Sequence, residues 1–152
     1  NGVTARIHIF LNPKEVAMDG KEILNFDTNA MTWEGLDVKE LNFAIPWIPL
    51  HEDPETGANV FVMRYPAGFT NPWHHHDCSH GIYVLKGVLN TPIGKFGPGS
   101  YVWFPEGSVH YHGATAESDV TFLFITNKKF DIMIVDKNPE EESKSYEALK
   151  RR

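Results

Sequence analysis

Between residues 60 and 136 the chain alternates short apolar runs with turn-forming segments. The apolar runs are NVFVMRY, GIYVLKGVLN, GSYVWF, VTFLFIT and FDIMIVD. Glycine and proline separate them in YPAGF, NTPIGKFGPG and FPEG, as turns require. Runs of roughly five to seven residues at this spacing predict the antiparallel strands of a β-sandwich or β-barrel.

The two ends of the chain are patterned differently. MTWEGLDVKELNFAI alternates well enough to hold a strand around residues 36–43, whereas PWIPLHEDPETGAN, with three prolines, is predicted to be irregular. NPEEESKSYEALKRR places glutamates early and basic residues last, the charge order of a surface helix. We therefore expect one all-β domain over residues 1–152, with its core at 36–136, an N-terminal extension and a C-terminal helix over 137–152.

Composition and charge exclude several classes of protein. The 152 residues are 41% hydrophobic and 22% charged, as in ordinary globular domains. A net charge of -6 does not suit nucleic acid or anionic lipid, and no apolar run approaches the roughly 20 residues that cross a bilayer. The single cysteine cannot form an internal disulfide, and the first residues lack an export signal, so we expect a cytoplasmic protein without nucleic-acid or membrane partners.

Most of the histidines lie in two short segments, GFTNPWHHHDCSHGIYVLKG and GSYVWFPEGSVHYHG. They are His74, His75, His76, His80, His110 and His112. Because alternate residues of a strand share a face, His74 and His76 point one way and His75 the other. His80 follows a tight turn and can face the first pair across a hairpin. Imidazoles that converge in this way bind metal ions.

The spacing of these histidines resembles two sequence motifs of the cupin superfamily. From Gly68 the order is five residues, His74, one residue, His76, three residues, His80, six residues and Gly87. From Gly99 it is five residues, Pro105, one residue, Gly107, two residues and His110. The family usually has glutamate where this chain has His80, and asparagine where it has Ala114. The segment DPETGANVFVMRYPAGF is also similar to cupins related to the metal-binding domain of ChrR-type anti-sigma factors and to acetylacetone dioxygenases.

This resemblance implies a double-stranded β-helix, the cupin jelly-roll barrel, with a metal inside. Carried over residue by residue, the metal ligands are His74, His76, His80 and His110, or three histidines if His80 lies too far. Four neutral ligands leave the ion its full charge, which favours an anionic chelating substrate such as an enolate. Imidazoles favour a divalent transition metal, with Fe(II) the first choice and Zn, Ni or Cu as alternatives.

Four further residues are candidates for the site. His112 shares the strand face of His110 and either acts as an acid or base or is a core histidine. Arg64 binds an anionic substrate if its side chain points inward, and is a surface residue otherwise. If His80 faces inward, Ile82 and Val84 form an apolar wall for the substrate.

The resemblance also implies a function. We expect a metal-dependent dioxygenase that cleaves a C–C bond in a small diketone or hydroxyketone-like substrate with O₂, and that forms a homodimer. The alternatives are a non-enzymatic cupin that senses a metal or ligand, similar to the anti-sigma-factor domain, and a metal-dependent isomerase.

Overall fold

The computed structural model describes residues 2–8, 23–38, 41 and 43–136, and the regular structure in these ranges is β-strand. The strands are β1 (Val3–His8), β2 (Glu34–Val38), β3 (Phe43–Glu52), β4 (Asn59–Tyr65), β5 (His74–His76), β6 (His80–Lys86), β7 (Leu89–Thr91), β8 (Gly94–Phe96), β9 (Tyr101–Phe104), β10 (Gly113–Ala114), β11 (Val120–Thr126) and β12 (Asp131–Val135). In the described ranges, no helix is long and apolar enough to cross a membrane.

The strands form three antiparallel sheets. The largest has the order β2-β3-β4-β11-β6-β9, and the two smaller sheets have the orders β1-β12-β5 and β10-β7-β8. Strands that are distant in sequence, such as β4 and β11, are neighbours in space. This arrangement confirms the prediction of an all-β cupin jelly roll.

The first half of the segment that was predicted to be irregular, residues 46–52, is instead part of the longest described strand, whereas residues 53–58 form a turn as predicted. Strand β3 has ten residues and pairs with both β2 and β4. Its register with β4 shifts between Pro49 and His51, so one proline lies where the hydrogen-bond ladder is already interrupted. The prediction was therefore wrong for residues 46–52, because a bulge accommodates a residue that has no N–H, and right for residues 53–58. The C-terminal helix predicted over 137–152 lies outside the described residues.

Inward-facing aromatic residues fill the barrel beside the histidines. Phe61 on β4 stacks on Phe124 of β11, with ring centroids 4.7 Å apart, and Trp47 of β3 meets Phe61 edge-on at 5.6 Å. All three side chains are buried. The core is thus continuous with the histidine cluster and fixes the position of the strands that carry it.

Gly87, the last residue of the first histidine motif, connects β6 to β7 with a φ of 78°. A Cβ atom at this position would collide with the backbone carbonyl oxygen of Asp119. An alanine at position 87 would have both a strained positive φ and a clash with the backbone, and the two costs add. We therefore expect Gly87→Ala to lower the free energy of unfolding, measured by urea titration, by about 3–4 kcal/mol.

Gly68 provides the matched control for this substitution. It has a similar φ of 79°, but a Cβ there would meet nothing within 4 Å. Gly68→Ala should therefore cost only the backbone strain, about 1–2 kcal/mol. Equal losses in the two variants would show that the contact with Asp119 contributes nothing.

Candidate metal centre

Five histidine side chains lie inside the barrel, each at most 2% exposed. They are His74, His76, His80, His110 and His112. His74 and His110 exchange two backbone hydrogen bonds of 2.9 Å, which join the two motif segments directly. His75 is only partly buried, in agreement with the alternation expected along β5.

Four of these histidines converge. One ring nitrogen of each lies within 4.8 Å of those of the other three, in a group made of His74, His76, His110 and His112. The structure thus brings together three of the four predicted ligands and adds His112. His80 stands beside the group, with its ring centroid 4.6 Å from that of His76.

Three of the converging rings are fixed by backbone carbonyl oxygens. Nδ1 of His74 lies 2.7 Å from the carbonyl oxygen of Pro72. Nδ1 of His76 lies 2.9 Å from the carbonyl oxygen of Asp131, and Nδ1 of His110 lies 2.9 Å from that of Ser108. A carbonyl oxygen only accepts hydrogen bonds, so Nδ1 of each neutral ring carries the proton.

The opposite nitrogen, Nε2, of these three rings therefore has a free lone pair. In all three it is buried and has no hydrogen-bond partner in the described part of the chain. Buried acceptors left without a partner are costly, and a transition-metal ion satisfies several of them at once. The donor set consequently fits a divalent transition metal, as the sequence predicted.

His80 is held in a different way. Its ring stacks between Phe104 and Phe124, with centroid distances of 4.7 and 4.6 Å and interplanar angles near parallel. Neither of its ring nitrogens has a hydrogen-bond partner within residues 2–8, 23–38, 41 and 43–136. The role of His80 as a metal ligand stays a prediction, which these two unpaired nitrogens favour.

Burial keeps the cluster neutral. Desolvation lowers the pKa of His74 to about 4. It also places the pKa values of the other four buried histidines well below the ordinary value, with repulsion between the rings adding to the effect. The neutral imidazole is the form that binds metals, so the site is prepared for an ion at neutral pH.

His74, His76 and His112 face a small cavity of about 20 Å³ whose other walls are mostly apolar. Its aliphatic and aromatic lining includes Leu36, Val38, Ile45, Phe61, Met63 and Phe130. Tyr65 and Asn71 are the polar side chains beside the histidines. A ligand bound here would lie between an imidazole wall and an apolar one.

The structure does not bring Arg64 to this cavity. Phe61, Met63 and Tyr65 of β4 line it, so Arg64 lies on the opposite face of the strand. Its guanidinium carbon is 4.6 Å from the ring centroid of Trp33. The predicted contact with an anionic substrate is thereby replaced by a cation–π contact on the outer face.

Ile82 and Val84 point inward, as the alternation along β6 predicted. Both are fully buried in the core, and Tyr83 between them is exposed. They are absent from the lining of the cavity described above, so their role in substrate binding stays a prediction. Cys78 is buried in the same core, and burial raises the pKa of its thiol to about 12.

Sequence reasoning missed two residues that contact His112. The Tyr65 hydroxyl lies 2.9 Å from His112 Nδ1, and Nδ2 of Asn71 lies 2.9 Å from that hydroxyl. The alternation in NVFVMRY, which places Tyr65 on the same face as Phe61, was an available signal for the tyrosine. No sequence signal identified Asn71, which lies in an irregular segment before β5.

Comparison with known proteins agrees with this geometry. Residues 22–131 match the sequence model of the ChrR Cupin-like domain. An (R)-mandelonitrile lyase of Granulicella tundricola is 30% identical over 81 residues, which are 50% of this chain and 61% of the lyase. The chain thus spans about three fifths of the curated relative that it matches.

Two solved structures share the fold. The anti-sigma factor ChrR of Rhodobacter sphaeroides, in complex with SigE, aligns with a TM-score of 0.55 and 21% identity over 66% of this chain and 52% of that chain. A proposed acetylacetone dioxygenase of Methylibium petroleiphilum aligns with a TM-score of 0.58 and 17% identity over 72% and 81% of the two chains. At these identities the likeness establishes the fold alone.

Proposed function

The chain belongs to the ChrR Cupin-like domain family, and on that premise we propose that it is a metal-dependent dioxygenase. It cleaves a C–C bond in a small diketone or hydroxyketone-like substrate. The observation that carries the proposal is the convergence of three buried imidazoles, those of His74, His76 and His110, whose Nε2 atoms are unpaired among the described residues. Two of them, His74 and His76, line an apolar cavity. Bound Fe(II) would supply a Lewis acid for an enolate and redox chemistry with O₂.

The protein contributes the setting for this chemistry. His74, His76 and His110 would hold the ion, and their backbone partners keep each ring in one orientation. Among the residues that the structure describes, no carboxylate belongs to the converging group, so the group adds no negative charge beside the ion and favours an anionic substrate. The apolar lining excludes water and strengthens the attraction between charges in the site.

A metal-dependent lyase is the second candidate. The observation in its favour is the 30% identity with the mandelonitrile lyase, a relative whose name describes bond cleavage without oxidation. Both reactions break a C–C bond next to a carbon that bears oxygen, and both suit a small apolar site. They differ in their need for O₂.

Oxygen consumption separates these functions. We expect the Fe(II)-loaded protein to consume O₂ with at least one member of a panel of β-diketones and α-hydroxyketones, measured with an oxygen electrode. His76→Ala, which lacks one Nε2 donor, should lower the rate by about 100-fold or more, whereas His75→Ala should retain it. Anaerobic cleavage of mandelonitrile without O₂ uptake would favour the lyase, and inactivity in both assays with metal bound would favour a sensor.

The expected homodimer also stays a prediction. Tyr101 and Trp103, on strand β9 at the edge of the largest sheet, are 56% and 50% exposed. Aromatic residues of this kind are enriched in protein interfaces, which supports the prediction.

A further inference from the structure

His112 differs from the three histidines around it in the partner of its Nδ1 atom. The Nδ1 atoms of His74, His76 and His110 face carbonyl oxygens, which only accept hydrogen bonds. Nδ1 of His112 instead faces the Tyr65 hydroxyl at 2.9 Å, a group that can donate or accept. The position of the His112 proton therefore depends on what else the hydroxyl contacts.

The second partner of that hydroxyl is Asn71. Its Nδ2 lies 2.9 Å from the Tyr65 oxygen, and an amide nitrogen only donates. The hydroxyl accepts this bond, so its own hydrogen is directed to the remaining neighbour, Nδ1 of His112. Burial raises the pKa of Tyr65, so the phenol keeps the hydrogen that it donates.

The two hydrogen bonds, from Asn71 to Tyr65 and from Tyr65 to His112, thus run in one direction. Since Nδ1 of His112 accepts, the proton of the neutral ring lies on Nε2, and this nitrogen has no lone pair for a metal. Nε2 of His112 is buried and has no hydrogen-bond partner among the described residues, and His112 belongs to the converging group. This nitrogen is a buried hydrogen-bond donor in a ring that lies beside those of His74, His76 and His110.

We propose that His112 is a substrate-binding residue and not a metal ligand: its Nε2–H donates to an oxygen of the bound substrate, while Tyr65 and Asn71 hold the ring in that tautomer. This rests on the proposed function, because it assumes a metal held by His74, His76 and His110. The matching ligand is an oxyanion with two neighbouring oxygens, one for the ion and one for His112. Enolates of β-diketones and α-hydroxyketones have this pattern.

Metal affinity tests the assignment without any catalytic assay. Zn(II) affinity would be measured by competition with a chromophoric chelator in the wild type, His110→Gln and His112→Gln. We expect His110→Gln to lose about 100-fold or more and His112→Gln to stay within about threefold of the wild type. Equal losses in the two variants would make His112 a ligand and overturn the proposal.

Asn71→Asp tests the direction of the hydrogen-bond chain. A carboxylate of the same shape only accepts, so Tyr65 would donate to it and accept from Nδ1–H of His112. Nε2 of His112 would then lose its hydrogen and have a free lone pair that can bind the metal. We expect the visible spectrum of the Co(II)-loaded variant to change and its Co(II) affinity to rise about tenfold or more.

The double variant Asn71→Asp/His112→Gln is the control for the added charge. We expect both the spectral change and the gain in affinity to disappear when His112 is absent. A gain that persists would come from the carboxylate alone and would overturn the proposal, as would an unchanged Co(II) spectrum in Asn71→Asp.

Substrate binding supplies an independent measurement. Acetylacetone would be titrated calorimetrically into the Zn(II)-loaded wild type and His112→Leu, since Zn(II) supports binding without oxidation. We expect the dissociation constant to rise about tenfold in His112→Leu at unchanged Zn(II) affinity, because a hydrogen bond to an anionic oxygen is lost. Equal acetylacetone affinities would overturn the proposal. Failure of the wild type to bind acetylacetone would count against the proposed substrate class, while the metal titrations still decide the role of His112.

Discussion

Replacing His76 by alanine is expected to remove the metal from the purified protein. His76 is 2% exposed, its Nδ1 is bonded to the Asp131 carbonyl, and its Nε2 is one of the unpaired donors of the converging group. Removal of an outer hydrogen-bond partner of a metal ligand already costs about 10- to 100-fold in affinity, so loss of the ligand itself should cost more. Metal content, measured by mass spectrometry after purification without chelators, should fall to a small fraction of the wild-type value.

His75→Ala is the control from the same strand. Its side chain lies between those of His74 and His76 but points to the other face and is partly exposed. We expect this variant to keep the wild-type metal content. If His75→Ala, His76→Ala and the wild type all carry the same trace of metal, the assignment of a metal centre is wrong.

His80→Phe distinguishes three protein ligands from four. A phenylalanine ring can occupy the stack between Phe104 and Phe124, so the variant should fold. A loss of metal as large as that of His76→Ala would establish His80 as the fourth ligand. Wild-type metal content would establish a set of three histidines.

The orientation of the histidines along β5 could be predicted from the sequence because it depends only on local geometry. Alternate side chains of a strand face opposite sides, and the polar pattern around β5 leaves one of its two faces for the barrel interior. This places His74 and His76 inward, and His75 toward the surface, without knowledge of any distant residue. The strands β4 and β11 were predictable for the same reason.

The face occupied by Arg64 was harder to predict because both faces of β4 carry apolar residues. Met63 faces the cavity, whereas Val62, on the same face as Arg64, is also buried. Alternation gives two sets of residues, but it does not say which set lines the site when both are covered. Only the tertiary structure, which places Trp33 over Arg64, resolves this choice.

The contacts of His112 could not be predicted because they join distant parts of the chain. Tyr65 and His112 are separated by 47 positions, and Asn71 lies in a segment without regular alternation. Sequence spacing identified His112 as a neighbour of His110, but the tautomer depends on which group meets Nδ1. That information appears only when β4 and the segment after β9 are packed together.

Acid is expected to destabilise the metal-free protein strongly below about pH 6.5. The pKa of His74 in the folded protein is about 4, and burial places those of His76, His80, His110 and His112 well below the ordinary value of 6.5. At a pH between the pKa of a histidine in the folded protein and its ordinary pKa of 6.5, the unfolded chain binds a proton that the folded protein does not. The free energy of unfolding therefore falls as the pH falls, by about 1.4 kcal/mol per pH unit for each such histidine.

Urea titrations of the metal-free protein measure this dependence. The free energy of unfolding should be almost constant from pH 8.5 to 7.5, and should fall between pH 6.5 and 5.5 by more than one histidine can account for. His80→Phe removes one buried imidazole, so its loss of stability between pH 6.5 and 5.5 should be smaller by about 1 kcal/mol, because the unfolded histidine is only partly protonated at the upper end of this range. Stability that does not change between pH 7.5 and 5.5 would contradict a neutral, buried cluster. Because metal ligands must also be deprotonated, the metal-loaded protein should lose its added stability over the same range. Both effects have one cause, the burial of imidazoles that are neutral in the folded protein and bind an ion only in that form.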